Sequence, residues 1–300
     1  MIFFATTHRP RFYILCICIC IFVSQILFAH GKSDVQKIVL WKGVTGMKYQ
    51  NTQLHLYIPE ESIKTDTAVI ICPGGSYHHL DMKGEGVTTA RWFQSIGVTA
   101  CILKYRVSRE GYHYPAMLQD FQRAIQFVRE HATDYHINPN KVGAIGYSAG
   151  GHMVLMGAVY GNSDNELEVL GITTNVSLKP DFIMPIYPVV SMDDEIAHSW
   201  SRWSLLGYNQ SVKLKNKLSM EKHITSDICP VFNIVAKDDQ TVDYRNSLVL
   251  QDALEKAGVE HYFKLYDVGG HGFGMKDNEF MRCNHWNQDL LQWLQHIKML

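Results

Sequence analysis

The stretch Lys141-Val-Gly-Ala-Ile-Gly-Tyr-Ser-Ala-Gly-Gly151 decides the fold that we expect for this chain. Its first half is an apolar run that predicts a buried strand, and the small residues after the serine predict the start of a helix. Gly146 and Gly150 flank Ser148, and glycines at these positions permit a very tight strand-to-helix turn. Such a turn exposes the hydroxyl above the sheet and directs backbone N–H groups towards it. Ser148 is therefore a candidate nucleophile, and an incidental serine in a glycine-rich turn is the alternative.

The composition indicates one large globular domain that has no nucleic-acid partner. The chain has 300 residues, of which 46% are hydrophobic, and a formal net charge of −1. That length and that apolar content suffice for a single well-filled core. No basic run follows the extreme N-terminus, so nothing indicates binding to a phosphate backbone. The cysteines beyond residue 31 form no Cys-x-x-Cys pair, and we expect neither a metal site nor a thiol redox centre.

The N-terminus predicts a secretory signal over residues 1–31. Two arginines precede an apolar run over 12–28, and small residues near Gly31 offer a cleavage point. The run is also about long enough to span a bilayer, so an uncleaved anchor is the alternative and would be the only membrane contact that we expect. Either way, we expect an exported protein, periplasmic or extracellular, with a single domain over residues 32–300. The sequence does not give its oligomeric state.

Strand-like and helix-like segments alternate through the rest of the chain. Short apolar runs predict buried strands, and amphipathic segments such as 85–96 and 115–131 predict the helices between them. Alternating residues at 37–41 and 53–58 predict an opening antiparallel hairpin. Alternation of this kind implies an α/β fold with a mainly parallel central sheet and helices on both faces. Residues 191–227 are too long for an ordinary connection, and we expect there a short helical cap insertion over the mouth of the site.

Two loops downstream of Ser148 carry the partners that a serine nucleophile needs. A hydroxyl becomes reactive when a base removes its proton, and a third group holds that base in the correct tautomer. His271 follows the last predicted strand and has glycines on both sides, as suits a loop that brings an imidazole close to other backbone. The acid candidates, Asp238 and Asp239, follow an earlier predicted strand, so the chain order is serine, acid, histidine.

A glycine-rich loop and the residue after the serine are candidates for an oxyanion hole. Negative charge on a reacting oxygen needs two or more N–H donors that are fixed before reaction. Ala149 directly follows the candidate nucleophile and is expected to supply one of them. Gly74 and Gly75 lie in the loop after another predicted strand, where glycines let the backbone approach a substrate carbonyl. A simple glycine turn is the alternative reading of that loop.

Taken together, these segments resemble the α/β-hydrolase superfamily and, within it, the secreted bacterial carbohydrate esterases: the acetylxylan esterases and the related feruloyl-esterase-like group. The resemblance covers about Trp41 to Leu294. The segments that carry it are Cys72-Pro-Gly-Gly-Ser-Tyr77, Leu103-Lys-Tyr-Arg106, Pro115-Ala-Met-Leu-Gln-Asp120, Gly146-Tyr-Ser-Ala-Gly-Gly-His152, Leu205-Leu-Gly207, Asp239, Asn246-Ser247 and Gly269-Gly-His-Gly-Phe-Gly274. In combination they are specific, although no single one is.

The resemblance implies an α/β-hydrolase fold and a role for each residue of the site. Ser148 would be the nucleophile, His271 the base and then the acid, and Asp239 the orienting carboxylate, because the family's Asp-x-x-Val spacing matches Asp239-Gln-Thr-Val242. Asp238 would then be a turn residue. The oxyanion donors would be Gly74, Gly75 and Ala149, and the residues expected to line the pocket are Ser76, Tyr77 and His78.

Two positions depart from the family pattern. Ser76 stands where the family usually has a third glycine, which affects the shape of the pocket. Asp243 stands where a proline usually follows the Asp-x-x-Val motif, which weakens the choice of Asp239 over Asp238.

The resemblance further implies hydrolysis of acetyl or related acyl esters on a plant-type polysaccharide, with an acylated carbohydrate as partner and no metal or organic cofactor. A feruloyl or general carboxylesterase is the nearest alternative. A serine peptidase of the prolyl-oligopeptidase type is disfavoured, because fewer residues precede Pro73 than the propeller of those enzymes needs. A catalytically silent hydrolase fold used as a binding module is the third alternative.

The aromatic residues of the insertion, Trp200, Trp203 and Tyr208, either pack the insertion or contact substrate.

Overall fold

The computed structural model describes residues 35–45, 47 and 51–300, and the predicted signal over 1–31 lies outside them. The strands of the described residues are β1 (Gln36–Val39), β2 (Gln53–Tyr57), β3 (Ala68–Cys72), β4 (Thr99–Lys104), β5 (Val142–Tyr147), β6 (Ile183–Ile186), β7 (Val231–Ala236) and β8 (His261–Tyr266). They form one sheet in the order β1-β2-β4-β3-β5-β6-β7-β8. The β1–β2 and β2–β4 pairs are antiparallel, whereas the other pairs are parallel. The predicted hairpin and the predicted mainly parallel sheet are both confirmed.

The helices of the described residues are α1 (Thr88–Ser95), α2 (Ala116–Glu130), α3 (Ala149–Tyr160), α4 (Glu166–Val169), α5 (Ser199–Leu206), α6 (Val212–Lys217), α7 (Arg245–Ala257), α8 (Glu279–Asn284) and α9 (Trp286–His296). Shorter 3₁₀ turns lie at Ser108–Glu110 and Met220–His223. Among these residues no helix combines the length and the apolarity that a membrane span requires.

The core lies on both faces of the sheet, as the apolar runs of the strands predict. Strand side chains alternate between the faces, so neighbouring residues of β3 enter different clusters. Ile70 packs in the cluster that contains Phe121 of α2, whereas Ile71 packs in the cluster that contains Phe93 of α1 and Trp293 of α9. All five residues of β3 and all six of β5 are buried. These two central strands are the rigid support from which the loop of Gly74 and the turn of Ser148 emerge.

The structure differs from the sequence prediction at the segment before α1. The pattern predicts one helix over 85–96, but a short π-helical segment at Met82–Val87 precedes α1. The side chain of Asp81 caps this segment by accepting the Gly84 N–H at 2.7 Å. The wider turn of this π-helical segment points its side chains in other directions than an α-helix over 85–96 would. Glu85, expected at the start of an amphipathic helix, is consequently buried with 5% exposure.

The expected insertion over 191–227 consists of α5, α6 and the 3₁₀ turn at Met220–His223. Its helical character agrees with the sequence prediction, because no strand interrupts these residues. Asn246 of α7 ties the start of this segment to the main domain: its side-chain oxygen accepts the N–H groups of Val190 and Ser191 at 2.9 and 3.0 Å. The role of the segment as a cap stays a prediction.

Candidate active site

Ser148 lies at the turn between β5 and α3, in the conformation that the elbow pattern predicts. Its backbone has φ 54° and ψ −117°, a region that residues other than glycine rarely adopt. The flanking glycines are required by space, since a Cβ on Gly146 would overlap the carbonyl oxygen of Gly150, and a Cβ on Gly150 would overlap that of Cys72. The turn is therefore possible only with these small residues, and it places the serine at the carboxyl end of a central strand.

Ser148, His271 and Asp239 form a continuous hydrogen-bonded chain. The Ser148 Oγ lies 3.0 Å from His271 Nε2, and His271 Nδ1 lies 2.6 Å from Asp239 Oδ2. The other oxygen of Asp239 accepts the N–H groups of Thr241 and Val242 at 2.8 and 2.9 Å, which fixes the carboxylate plane. An ionised carboxylate only accepts, so His271 carries its proton on Nδ1 and its Nε2 is free to take one from the serine.

The structure brings Asp239, and not Asp238, to the histidine. The Oδ1 atom of Asp238 accepts the N–H groups of Gly269 and Gly270 at 2.9 and 2.7 Å. It therefore holds the loop that carries His271 without touching the imidazole. The two acids that the sequence left as alternatives have separate tasks: one contacts the ring, and the other shapes the ring's loop.

A buried acid that the sequence prediction missed connects the glycine loop to the histidine. Glu85 accepts the N–H of Gly74 at 2.7 Å through Oε2 and the hydroxyl of Tyr187 at 2.9 Å through Oε1. The ring of Tyr187 lies 4.8 Å, centroid to centroid, from the ring of His271. Burial raises the pKa of Glu85, although both hydrogen bonds oppose that rise. The signal in the sequence was an acid between two glycines, Gly84-Glu-Gly86, just before the apolar positions of the predicted helix.

The hydrogen bond to Glu85 corrects one prediction about the oxyanion donors. Because the Gly74 N–H is held by a carboxylate, it is not available to a substrate oxygen. Glycine is still needed there, since a Cβ would lie 2.8 Å from the carbonyl oxygen of Tyr147 and 3.0 Å from the Cβ of Ser148. Within the described residues no acceptor takes the backbone N–H of Gly75, Ser76 or Ala149. These three groups are the donors that remain for a developing negative charge.

The prediction that Tyr77 lines the pocket is wrong. Its side chain has no exposed surface, and its hydroxyl donates to His152 Nδ1 at 2.8 Å. The reason is local backbone: Ser76 and Tyr77 both have φ 58°, and this double left-handed turn directs the tyrosine inward while His78 faces a cavity. His152 in turn contacts the carbonyl of Leu218 at 2.8 Å, and burial lowers its pKa to about 4. His152 is thus a neutral structural residue, as its place on α3 predicts.

The mainly parallel sheet, the elbow serine and the later acid and histidine define the class of protein: the fold is that of the α/β-hydrolases. Residues 54–254 match the model of the BD-FAE family, and the chain belongs to that family. This finding agrees with the resemblance that the sequence motifs carry.

Two curated relatives share a large part of this chain. An acetylxylan esterase of Xylanibacter ruminicola is 30% identical over 249 residues, which are 82% of this chain and 48% of the relative. An endo-1,4-beta-xylanase B of Butyrivibrio fibrisolvens is 28% identical over 231 residues, which are 76% of this chain and 35% of the relative. The chain therefore spans about half the length of the first relative and about a third of the second.

Solved structures share the fold over most of the described domain. An acetyl ester-xyloside bifunctional hydrolase from Caldicellulosiruptor lactoaceticus superposes with a TM-score of 0.77 at 33% identity, covering 90% of this chain and 100% of that one. The esterase Est2 from Thermogutta terrifontis superposes with a TM-score of 0.73 at 22% identity, covering 89% of this chain and 96% of that one. At its lower identity, the second likeness supports the fold alone.

Proposed function

We propose that this protein is an exported serine esterase that removes acetyl or related acyl groups from xylan-type polysaccharide through an acyl-serine intermediate. The observation that carries the proposal is the unbroken chain from Ser148 through His271 to Asp239, with contacts of 3.0 and 2.6 Å. The first distance allows proton transfer from Ser148 to His271, and the second allows Asp239 to hold and stabilise the imidazole. The substrate class is supported by the names of two similar proteins, an acetylxylan esterase and an acetyl ester-xyloside hydrolase.

In the first half of the proposed reaction, the Ser148 oxygen bonds to the ester carbonyl carbon while His271 Nε2 takes the hydroxyl proton. The carbonyl oxygen becomes an oxyanion, for which the N–H groups of Gly75, Ser76 and Ala149 are the candidate donors. Asp239 stabilises the imidazolium that forms and keeps it oriented. The bond to the sugar oxygen then breaks, and the sugar leaves as an alcohol with the proton that the imidazolium returns.

In the second half, water replaces the sugar and attacks the acyl-serine carbon while His271 accepts its proton. The intermediate collapses, the proton passes to Ser148 Oγ, and the carboxylic acid leaves. Every proton in this cycle moves through one imidazole nitrogen. The proposed reaction therefore runs on side chains and backbone N–H groups of this chain together with water.

The decisive experiment compares the wild-type protein with Ser148→Ala on p-nitrophenyl acetate and on acetylated xylan. We expect acetate release to fall by about 10⁴-fold or more in the variant, with an unchanged circular dichroism spectrum. Ser163→Ala is a matched control, because Ser163 is exposed and lies after the opposite end of α3. Equal rates in Ser148→Ala and wild type would refute the proposal.

Two further measurements separate the alternatives. Acetate and ferulate released side by side from arabinoxylan distinguish an acetyl esterase from a feruloyl esterase. Labelling by a fluorophosphonate distinguishes an active serine from a silent fold, which does not react.

Cell fractionation together with N-terminal sequencing of the mature protein tests export and cleavage near Gly31.

A further inference from the structure

Three large aromatic side chains of the 191–227 segment are exposed to solvent. Trp200 is 55% exposed, Trp203 is 48% exposed and Tyr208 is 95% exposed. The two tryptophans are three residues apart on α5, so they lie on the same side of the helix. The rings of Trp203 and Tyr208 meet at 5.3 Å between centroids. Packing alone does not explain this cluster, because residues that serve only to fill a core are buried, whereas neighbouring exposed aromatic rings mark binding surfaces.

These rings form one wall of a cavity of about 300 Å³, hereafter the aromatic cleft. Its lining residues are His78, Ser108, His113, Trp200, Trp203, Ser204 and Tyr208. The rings of His78 and Trp200 are nearly perpendicular with centroids 5.3 Å apart, and His113 stacks on Trp203 with centroids 6.0 Å apart. None of the lining residues is Asp, Glu, Lys or Arg, so the cleft suits a neutral ligand better than an ionic one.

The aromatic cleft is built from the same two segments that flank the candidate nucleophile. His78 belongs to the loop of Gly75, three residues further along the chain. At the other wall, α5 begins directly after His198, and His198 shares a polar pocket with Asp239. Burial and the nearby His271 both lower the pKa of His198, which agrees with a position beside the imidazole. Both walls of the aromatic cleft therefore continue along the chain into segments that border the candidate active site.

The lining matches the surface of a sugar ring. A pyranose presents C–H groups on its flat faces and hydroxyls at its rim, and indole and phenol rings combine an apolar face with polar edges in a complementary way. The cleft also offers polar groups to the hydroxyls of a sugar. His113 Nδ1 donates to the Ser204 carbonyl at 2.8 Å, which leaves the Nε2 of His113 as an acceptor for a hydroxyl. The Ser108 hydroxyl, 3.2 Å from His78 Nδ1, lies in the same wall. An acetyl group by itself would leave most of such a cavity empty.

We infer that the aromatic cleft is a subsite for neutral sugar units, namely the xylosyl residues next to the acylated one, on the leaving-group side of the ester. The inference rests on the proposed function and names the part of the substrate that the esterase site recognises. It predicts that the chain distinguishes a carbohydrate ester from a simple ester through contacts that take no part in the chemistry. In kinetic terms, the cleft contributes to binding in the ground state and the transition state alike.

The test compares Trp200→Ala and Trp203→Ala, singly and together, on acetylated xylo-oligosaccharides and on p-nitrophenyl acetate, which carries no sugar. For the oligosaccharide we expect kcat/KM to fall about tenfold for each tryptophan, mainly through KM, and the corresponding Phe variants to recover part of the loss. For p-nitrophenyl acetate we expect rates within about twofold of wild type. Trp92→Ala, on α1, is the control for losing an indole elsewhere, and we expect it to leave both substrates unaffected.

A binding measurement separates this inference from the proposed function. Ser148→Ala titrated with unacetylated xylotetraose, followed by tryptophan fluorescence, reports on the cleft whether or not the chain hydrolyses esters. Saturable quenching that is lost in the Trp200/Trp203 double variant supports the subsite. Absence of binding, or equal losses of activity on the oligosaccharide and on p-nitrophenyl acetate, would overturn it. A loss of activity in the tryptophan variants that is confined to methyl ferulate, assayed as a third substrate, would also overturn it, because it would assign the cleft to an aromatic acyl group.

Discussion

The Asp239→Asn variant tests the proton path most directly, because the structure dictates how the new amide must lie. One oxygen of Asp239 accepts two backbone N–H groups, from Thr241 and Val242, at 2.8 and 2.9 Å. Asparagine has a single carbonyl oxygen, and we expect it to occupy that position. Its NH₂ group then faces His271 Nδ1, which has to accept instead of donate. The neutral imidazole consequently carries its proton on Nε2 and has no lone pair for Ser148 Oγ.

The magnitude follows from the cost of the opposite amide orientation. Turning the NH₂ group towards the two N–H groups would leave the buried Val242 N–H without an acceptor, which costs about 1–3 kcal/mol, with a smaller penalty at the exposed Thr241. The unproductive tautomer therefore predominates by up to roughly 10²-fold. The variant also lacks the negative charge that stabilises the imidazolium, so the two effects together are expected to lower kcat by roughly 10²–10⁴-fold while KM changes little.

The assay is initial-rate hydrolysis of p-nitrophenyl acetate, with thermal unfolding as the check on folding. Asp238→Asn is the matched control, since the Asp238 Oδ1 that accepts the Gly269 and Gly270 N–H groups is retained as an amide oxygen. We expect this control to keep activity within about threefold of wild type. Retention of more than about a tenth of the activity by Asp239→Asn, or equal losses in the two variants, would refute this proton path.

Further predictions concern stability and the support of the site. Glu85→Ala removes the acceptor of the Tyr187 hydroxyl and of a loop N–H, so we expect a loss of about 2–4 kcal/mol in urea unfolding and a lower kcat, with Glu85→Gln nearer to wild type. His152 stays neutral in the fold with a pKa of about 4, against 6.5 unfolded, so protonation favours the unfolded chain between these values. The contribution of the neutral His152 to stability is complete above pH 6.5, and about 3 kcal/mol of it is lost as the pH falls towards 4. In His152→Gln, we expect the free energy of unfolding in urea to depend less on pH over this range. Gly146→Ala forces a Cβ into the Gly150 carbonyl, and we expect a loss of about 3 kcal/mol or more by thermal unfolding, whereas wild-type stability would contradict the packing argument.

The sequence was sufficient for the parts of the site whose cause is local. The elbow at Ser148 follows from an apolar strand and two flanking glycines, and the strand-ending loops of Asp239 and His271 follow from the alternation of strands and helices. The carboxyl ends of parallel strands lie at one edge of the sheet, so residues more than a hundred positions apart were expected to meet there. The structure brings them within hydrogen-bond distance.

The sequence was insufficient where the direction of one side chain depends on non-local contacts. Asp238 and Asp239 are neighbours after the same strand, and only the position of the Gly269 loop decides which one reaches the imidazole. Tyr77 was expected in the pocket because of its place in a motif, but two left-handed residues turn it into the core. Glu85 escaped notice because its helix begins with a π-helical turn, which the 3.6-residue period does not describe.

The backbone conformations point to the same edge of the sheet independently of any motif. Of the seven residues other than glycine with positive φ in the described part of the chain, four lie in the turns that follow the central strands: Ser76 and Tyr77 after β3, Ser148 after β5 and Tyr187 after β6. Each such conformation costs on the order of 1–3 kcal/mol and persists only where its surroundings allow no other. The surroundings here are fully buried strands, with Glu85 holding both the glycine loop and Tyr187. The strain is therefore concentrated where the fold is most rigid, which is what a site that must hold its donors fixed before reaction requires.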